Sequence, residues 1–142
     1  MAQSLLKVIQ GAYLWQFRRS ANKFMHALRQ PEQAQGARLK RILRNNRFAQ
    51  YGQAFGFSGI SSISDFQRKV PIAKYRDLEP WIGRIADGEA QVLTTEKVLM
   101  MELVGGASSP HKLIPFTRSH LTDVAAATQP WLYDLHTALP NL

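Results

Sequence analysis

Val98-Leu99-Met100-Met101-Glu102-Leu103-Val104 leads into Gly105-Gly106-Ala107-Ser108-Ser109-Pro110-His111-Lys112 and then Leu113-Ile114-Pro115, and this stretch decides the fold. Its first part is an apolar run broken only by Glu102. Such a run suits a strand buried on both faces, as in a mixed or parallel sheet. Small residues then mark a loop. Leu113-Ile114 reads as a short second strand ended by Pro115.

Around this pair the pattern is helical. Downstream, a helix is expected from near Arg118, carrying Leu121, Val124, Ala125, Trp131, Leu132 and Leu135. Pro130 should kink or divide it. Upstream, Asp77 reads as the cap of a helix with Pro80 in its first turn, Trp81, Ile82 and Ile85 on its apolar side and Gly88 closing it. Ser62 to Lys69 reads as a short helix capped by Ser62 or Ser64, with Asp65 in its first turn. Residues 32–50 fit a helix with Leu39, Ile42, Leu43 and Phe48 on one side, ended by Gly52 and Gly56. Residues 3–29 fit another with a broad apolar face, stopped by Pro31. Five or six helices thus stand against two or three strands. Two strands make no stable sheet without partners. The domain is therefore mostly helical with a small β element, or its sheet is completed by sequence outside this chain.

The chain has 142 residues, 45% hydrophobic and 20% charged, which fits one globular domain. It has no cysteine, which excludes disulfides, thiolate metal sites and a cysteine nucleophile. His26, His111, His120 and His136 show no metal-ligand spacing. No apolar run approaches the ~20 residues of a membrane span. The N-terminus lacks a signal-peptide pattern, and a cytoplasmic location is expected. The net charge of +8 is uneven. Residues 1–50 hold ten Lys/Arg against one acid, Glu32, a net of +9, while the remainder is at −1. A basic face of this kind suits nucleic acid, an anionic membrane or an acidic partner; more often it is simply solvated.

The loop carries the chemistry. Glycines allow positive φ, so successive N–H groups can turn toward one point and form an anion-binding concavity. Ser108 and Ser109 add hydroxyl donors and Lys112 a full positive charge. The spacing is not that of the helix-opening phosphate loop. A glycine-serine turn between strands is ordinarily just a turn. Asp87-Gly88-Glu89 reads as a solvated helix end without a positioned partner. Ser108 and Ser109 lack the Gly-x-Ser-x-Gly of a hydrolase elbow. Tyr75 and Trp81 read as packing residues.

Longer patterns are more specific. Asn46, Tyr51-Gly52, Phe55-Gly56-Phe57, Asp65-Phe66, Val70-Pro71-Ile72, Tyr75, Asp77-Leu78-Glu79-Pro80, Arg84 to Glu89, Leu93-Thr94 and Lys112 to Thr117 occur in an order and spacing that resembles the auxin-responsive (Gretchen Hagen) acyl-acid amido synthetase family, in its bacterial form. The match runs from about Leu39 to the end. That family belongs to the adenylate-forming superfamily of acyl-CoA synthetases and luciferases. The resemblance implies an α/β, helix-rich fold: N-terminal helices plus an incomplete small β element, part of an adenylate-forming enzyme's N-terminal domain. Residues 1–142 would be a partial N-terminal domain, with 1–50 a basic helical segment and 51–142 the start of a nucleotide-binding core.

It also implies ATP and Mg²⁺ as cofactors and a carboxylic acid and an amino acid as substrates, with no nucleic-acid partner. The acid is activated as an acyl-adenylate, because a carboxylate is a poor electrophile until AMP supplies a leaving group; an amine then forms the amide. The superfamily's first nucleotide motif falls on Gly105, Gly106, Ser108, Ser109 and Lys112. No catalytic residue and no metal ligand is assigned. Related loops carry hydroxyls where this chain has Val104, Gly105 and Ala107. The backbone cradle is kept and side-chain donors are lost, at ~1 kcal/mol or more each. Two alternatives stand beside this reading: a truncated, catalytically inactive module acting through protein contacts, and a nucleic-acid or membrane-surface binder using the basic helices.

Overall fold

The computed structural model describes residues 2–105 and 111–139, and side chains from residue 11 onward except Tyr13. Helix α1 (Ala2–Arg29) precedes α2 (Pro31–Asn46), which opens on proline, where the missing N–H costs nothing. The short α3 (Gln50–Ala54), a 3-10 turn (Phe57–Gly59), α4 (Ile63–Lys69) and α5 (Tyr75–Ala86) follow. Strands β1 (Val98–Val104) and β2 (Lys112–Thr117) pair antiparallel, and α6 (Arg118–Ala138) comes last. The fold is helix-rich with a small two-stranded sheet.

The chain divides into two compact units. One comprises Met1–Ala34 with Leu121–Leu142, where the Ser20 hydroxyl donates to Gln129 Oε1 at 2.5 Å. Ala21 and Pro130 are buried there. The other, Gln35–His120, has Leu43, Ala49, Phe57, Ile82, Ile85 and Val92 as its buried apolar residues. Within it Tyr51 meets Phe55, Phe57 and Trp81 at centroid distances of 4.5, 6.1 and 5.3 Å, the last two edge-on as ring quadrupoles favour.

Several expectations need correction. The helix expected over 32–50 ends at Asn46 and restarts at Gln50. Gln50 N donates to Gln91 O (2.8 Å) and Tyr51 N to Val92 O (2.9 Å), so these two amides leave the helical ladder for a distant loop. Gly52 is therefore inside α3, and Gly56, at φ 62°, provides the left-handed stop. Ser62 caps α4 by accepting from Asp65 N (3.0 Å). Asp77 does not cap α5. The cap is Lys74, and Asp77 sits one turn in, accepting Lys74 N–H at 2.8 Å. Pro80 lies in the second turn without breaking α5. Pro130 lies within α6, which is not divided. Pro115 does not end β2; it pairs with Met101, which an edge strand tolerates.

The largest difference concerns β1. Leu99 (49%), Met100 (51%), Leu103 (59%) and Val104 (47%) are all substantially exposed, so neither face is buried. A single antiparallel neighbour satisfies one edge of the strand and covers neither face. Gly88, at φ 94°, follows α5 as expected, and α6 begins at Arg118.

Candidate functional site

Register places the loop. Val104 pairs with Lys112 and Leu103 with Leu113, so Gly105 and His111 are the described ends of the β1–β2 connection. Of the five residues assigned to it, Gly105 leaves β1 exposed and Lys112 begins β2 exposed. Gly106, Ser108 and Ser109 lie outside the described residues. The structure thus brings Gly105 and Lys112 to the two ends of one hairpin tip.

Lys112 has a neighbour that sequence reasoning missed. Its Nζ lies 5.5 Å from the centroid of the Tyr75 ring, within cation–π range. The Tyr75 hydroxyl accepts the Leu113 N–H at 2.9 Å. Tyr75 opens α5, so the start of that helix is bonded to the start of β2. Among the described residues no carboxylate is paired with Lys112. From sequence alone Tyr75 had a packing role within the family pattern; its hydrogen-bond partner lies 38 positions away, beyond any local signal.

The strand's far end is equally tied. Thr117, buried, accepts His120 N–H through Oγ1 (3.2 Å), and Glu96 accepts Ser119 N–H (3.1 Å). Both satisfy open donors at the first turn of α6. Thr95 joins the same region to α2: its N–H donates to Asn46 Oδ1 (3.2 Å) and its hydroxyl to Asn45 O (2.9 Å). A groove of about 580 Å³ runs along β1, bordered by Val92, Thr94, Lys97 and Met101.

Glu89 proves not to be a merely solvated helix end. Arg84 donates to it through Nε (2.7 Å) and Nη2 (2.6 Å), a bidentate fork. Gln50 Nε2 donates to the same carboxylate (2.7 Å), and Gln50 Oε1 accepts from Arg84 Nη2. These bonds, Arg84's first, hold the Glu89 carboxyl down at about 2. Asp65 is held down to about 2 by the hydroxyls of Ser61 and then Ser62. Depressed folded values mean that this stabilisation is complete above the unfolded carboxylate range, about 4, and is lost as pH falls toward 2. Melting temperature is therefore expected to be flat above about pH 5 and to decline between about pH 4 and 2. Thermal melts of Glu89→Gln should show a shallower acid limb; an unchanged limb would contradict the role given to this pair.

The basic first third lies on helices. Trp15, Arg18, Arg19, Asn22, Lys23 and His26 line one stripe of α1, a shallow groove of about 620 Å³ in the first unit. Among the described residues no helix is long and apolar enough to cross a membrane, and no group of three or more His, Asp and Glu could hold a metal ion.

The family profile described as the GH3 family N-terminal domain matches residues 20–141. A jasmonoyl–L-amino acid synthetase of Oryza sativa subsp. japonica, GH3.3, is 36% identical over 87 residues, 61% of this chain and 19% of that protein. The jasmonoyl–L-amino acid synthetase JAR6 of Nicotiana attenuata is 38% identical over 80 residues, 55% of this chain and 14% of its own length. In the solved structure of the AtGH3.15 acyl acid amido synthetase in complex with 2,4-DB, the likeness has a TM-score of 0.66 at 27% identity, covering 75% of this chain and 19% of that one. The chain thus spans about a fifth or less of the length of these relatives. By this pattern, from Tyr51 through the hairpin to Thr117, and by a domain profile covering most of its length, the chain belongs to the GH3 family, within that family's N-terminal domain.

Proposed function

We propose that the chain is the N-terminal portion of an ATP-dependent acyl-acid amido synthetase, which adenylates a carboxylic acid and joins it to an amino acid in the cytoplasm. Residues 1–50 serve as a basic helical segment and 51–142 as the start of the nucleotide-binding core. The hairpin tip holds the polyphosphate of ATP, which enters with Mg²⁺ and supplies the leaving group that a carboxylate lacks. Gly105 and Gly106 shape the cradle, Ser108 and Ser109 donate hydroxyl hydrogens, and Lys112 supplies the cationic donor.

One observation supports this reading above others: Lys112 stands exposed at the start of β2 and, among the described residues, has no paired carboxylate. A lysine in that state suits an anion, since it has no ion pair to break. The relatives' names support the substrate classes, because jasmonoyl–amino acid and indole-3-acetic acid–amido synthetases each join an acid to an amine. No residue of this chain is assigned to the acid or amine site. The loss of hydroxyls at Val104, Gly105 and Ala107 favours a second reading, an inactive module working through protein contacts. Acyl-adenylate formation by the purified chain would exclude that second reading.

Calorimetric titration with ATP·Mg²⁺ tests the first. Removing the charge at Lys112→Ala should weaken binding about tenfold or more, the worth of one charge-assisted hydrogen bond. Equal affinity in wild type and variant contradicts the assignment.

A further inference from the structure

Tyr75 has a place that packing alone does not explain. Its hydroxyl accepts the N–H of Leu113, the residue after Lys112, on the edge of β2 that faces away from β1. Its ring lies 5.5 Å from Lys112 Nζ. One side chain therefore touches both the backbone and the ammonium at the loop's C-terminal base. Tyr75 itself is held by its helix: it is the first residue of α5, whose start is fixed by the Lys74 N–H bond to Asp77 and whose body carries buried Ile82 and Ile85. The contact thus ties Lys112 to the core of this unit.

The physical need is plain. A free lysine side chain has four rotatable bonds and loses much rotamer freedom when it grips a ligand. A ring face near the ammonium narrows those rotamers beforehand. A cation–π contact in water is weak enough to be given up when a stronger anion arrives. The hydroxyl's bond to Leu113 N–H fixes the strand from which the lysine projects, so the loop base does not shift as the ammonium moves.

We propose that Tyr75 is a positioning residue for Lys112: its hydroxyl holds the Leu113 N–H and its ring is the resting place of the Lys112 ammonium, which leaves it for a phosphate oxygen. This inference rests on the reading of the hairpin tip as the polyphosphate loop, and it adds a residue from a different element to it.

The experiment uses the full chain, ATP·Mg²⁺, and the variants Tyr75→Phe, Tyr75→Leu and Lys112→Ala. Tyr75→Phe keeps the ring and loses the clamp; Tyr75→Leu loses both. Expected losses of ATP affinity are about threefold for Tyr75→Phe and up to about tenfold for Tyr75→Leu, the scale of one neutral hydrogen bond and one cation–π contact. In a Lys112→Ala background the Tyr75→Leu loss should largely vanish, because the ring then has no ammonium to place. A merely structural tyrosine would give the same loss in both backgrounds. A second readout does not need the leucine variant to fold. In wild type the Lys112 ε-methylene protons should resonate upfield of other lysines under the ring current, persist so in Tyr75→Phe, and move to ordinary positions on addition of ATP·Mg²⁺. Affinity that falls with Lys112→Ala and is indifferent to both Tyr75 variants overturns this inference alone. So do Lys112 methylene shifts that are ordinary in the free chain. Absence of ATP binding by wild type, or equal binding by Lys112→Ala, overturns the loop assignment and this inference with it.

Discussion

Gly52→Ala is expected to destabilise the Gln35–His120 unit by about 3 kcal/mol or more. Gly52 is buried in α3, and a Cβ built on it would lie 2.0 Å from the Asn46 carbonyl oxygen and 3.0 Å from the carbonyl carbon. Both obstructing atoms are backbone, so no rotamer change relieves the contact. The Asn46 carbonyl cannot move freely either. It accepts Ala49 N–H at 3.1 Å, while the Asn46 side chain accepts Thr95 N–H at 3.2 Å. Displacing it disturbs the end of α2, the start of α3 and the 95 loop together. Gly36→Ala is the matched control. It lies in α2 with nothing within 4 Å of its Cβ position, and there alanine should stabilise by about 0.5–1 kcal/mol through helix propensity. Urea unfolding followed by circular dichroism reads both; equal midpoints for the two variants would contradict the packing described.

Phe57→Ala should cost about 3–4 kcal/mol in the same measurement. Phe57 is 9% exposed, meets Tyr51 edge-on at 6.1 Å, and has Cδ2 3.1 Å from the Gly52 Cβ position. Its removal opens a cavity beneath Tyr51, whose own neighbours Phe55 and Trp81 are anchored at the α3 end and on α5 respectively. Phe57→Leu, which keeps much of the volume, should lose less than about 1.5 kcal/mol. Combining Phe57→Ala with Gly52→Ala should not restore stability, because the shorter clash is with the Asn46 backbone and not with the ring. A double variant as stable as Phe57→Ala alone would show that the ring was the true obstacle.

Local signals were read where they act locally. Ser62 with Asp65 gave the start of α4, Gly88 the stop after α5, and the Arg118 boundary the start of α6. The strand–loop–strand reading of 98–115 found both strands, because an apolar run, a small-residue loop and a second short run are adjacent in sequence. What it could not supply was environment. Val98 to Val104 reads the same whether its faces are covered or bare, and here they are exposed. The break between α2 and α3 was hidden for a related reason: Gln50 and Tyr51 look helical until Gln91 and Val92 offer their carbonyls. Gly105 and Lys112 were assigned to the loop from residue type and family pattern together. Tyr75 was taken for packing because its hydroxyl's partner comes from another element. Glu89 was taken for a solvated end because its fork with Arg84 depends on the turn at Gly88. The long family pattern was the most informative reading, since it integrates many such distant contacts without naming them.

Whether Lys112 receives the polyphosphate of ATP, as proposed, is read from a ¹⁵N–¹H spectrum of the chain titrated with ATP·Mg²⁺. Shifts are expected to concentrate at Gly105, His111, Lys112 and Leu113 and to be lost in Lys112→Ala. Shifts confined instead to the basic stripe of α1, at Arg18, Arg19, Lys23 and His26, and surviving Lys112→Ala, would contradict the proposal and assign the anion to the helices.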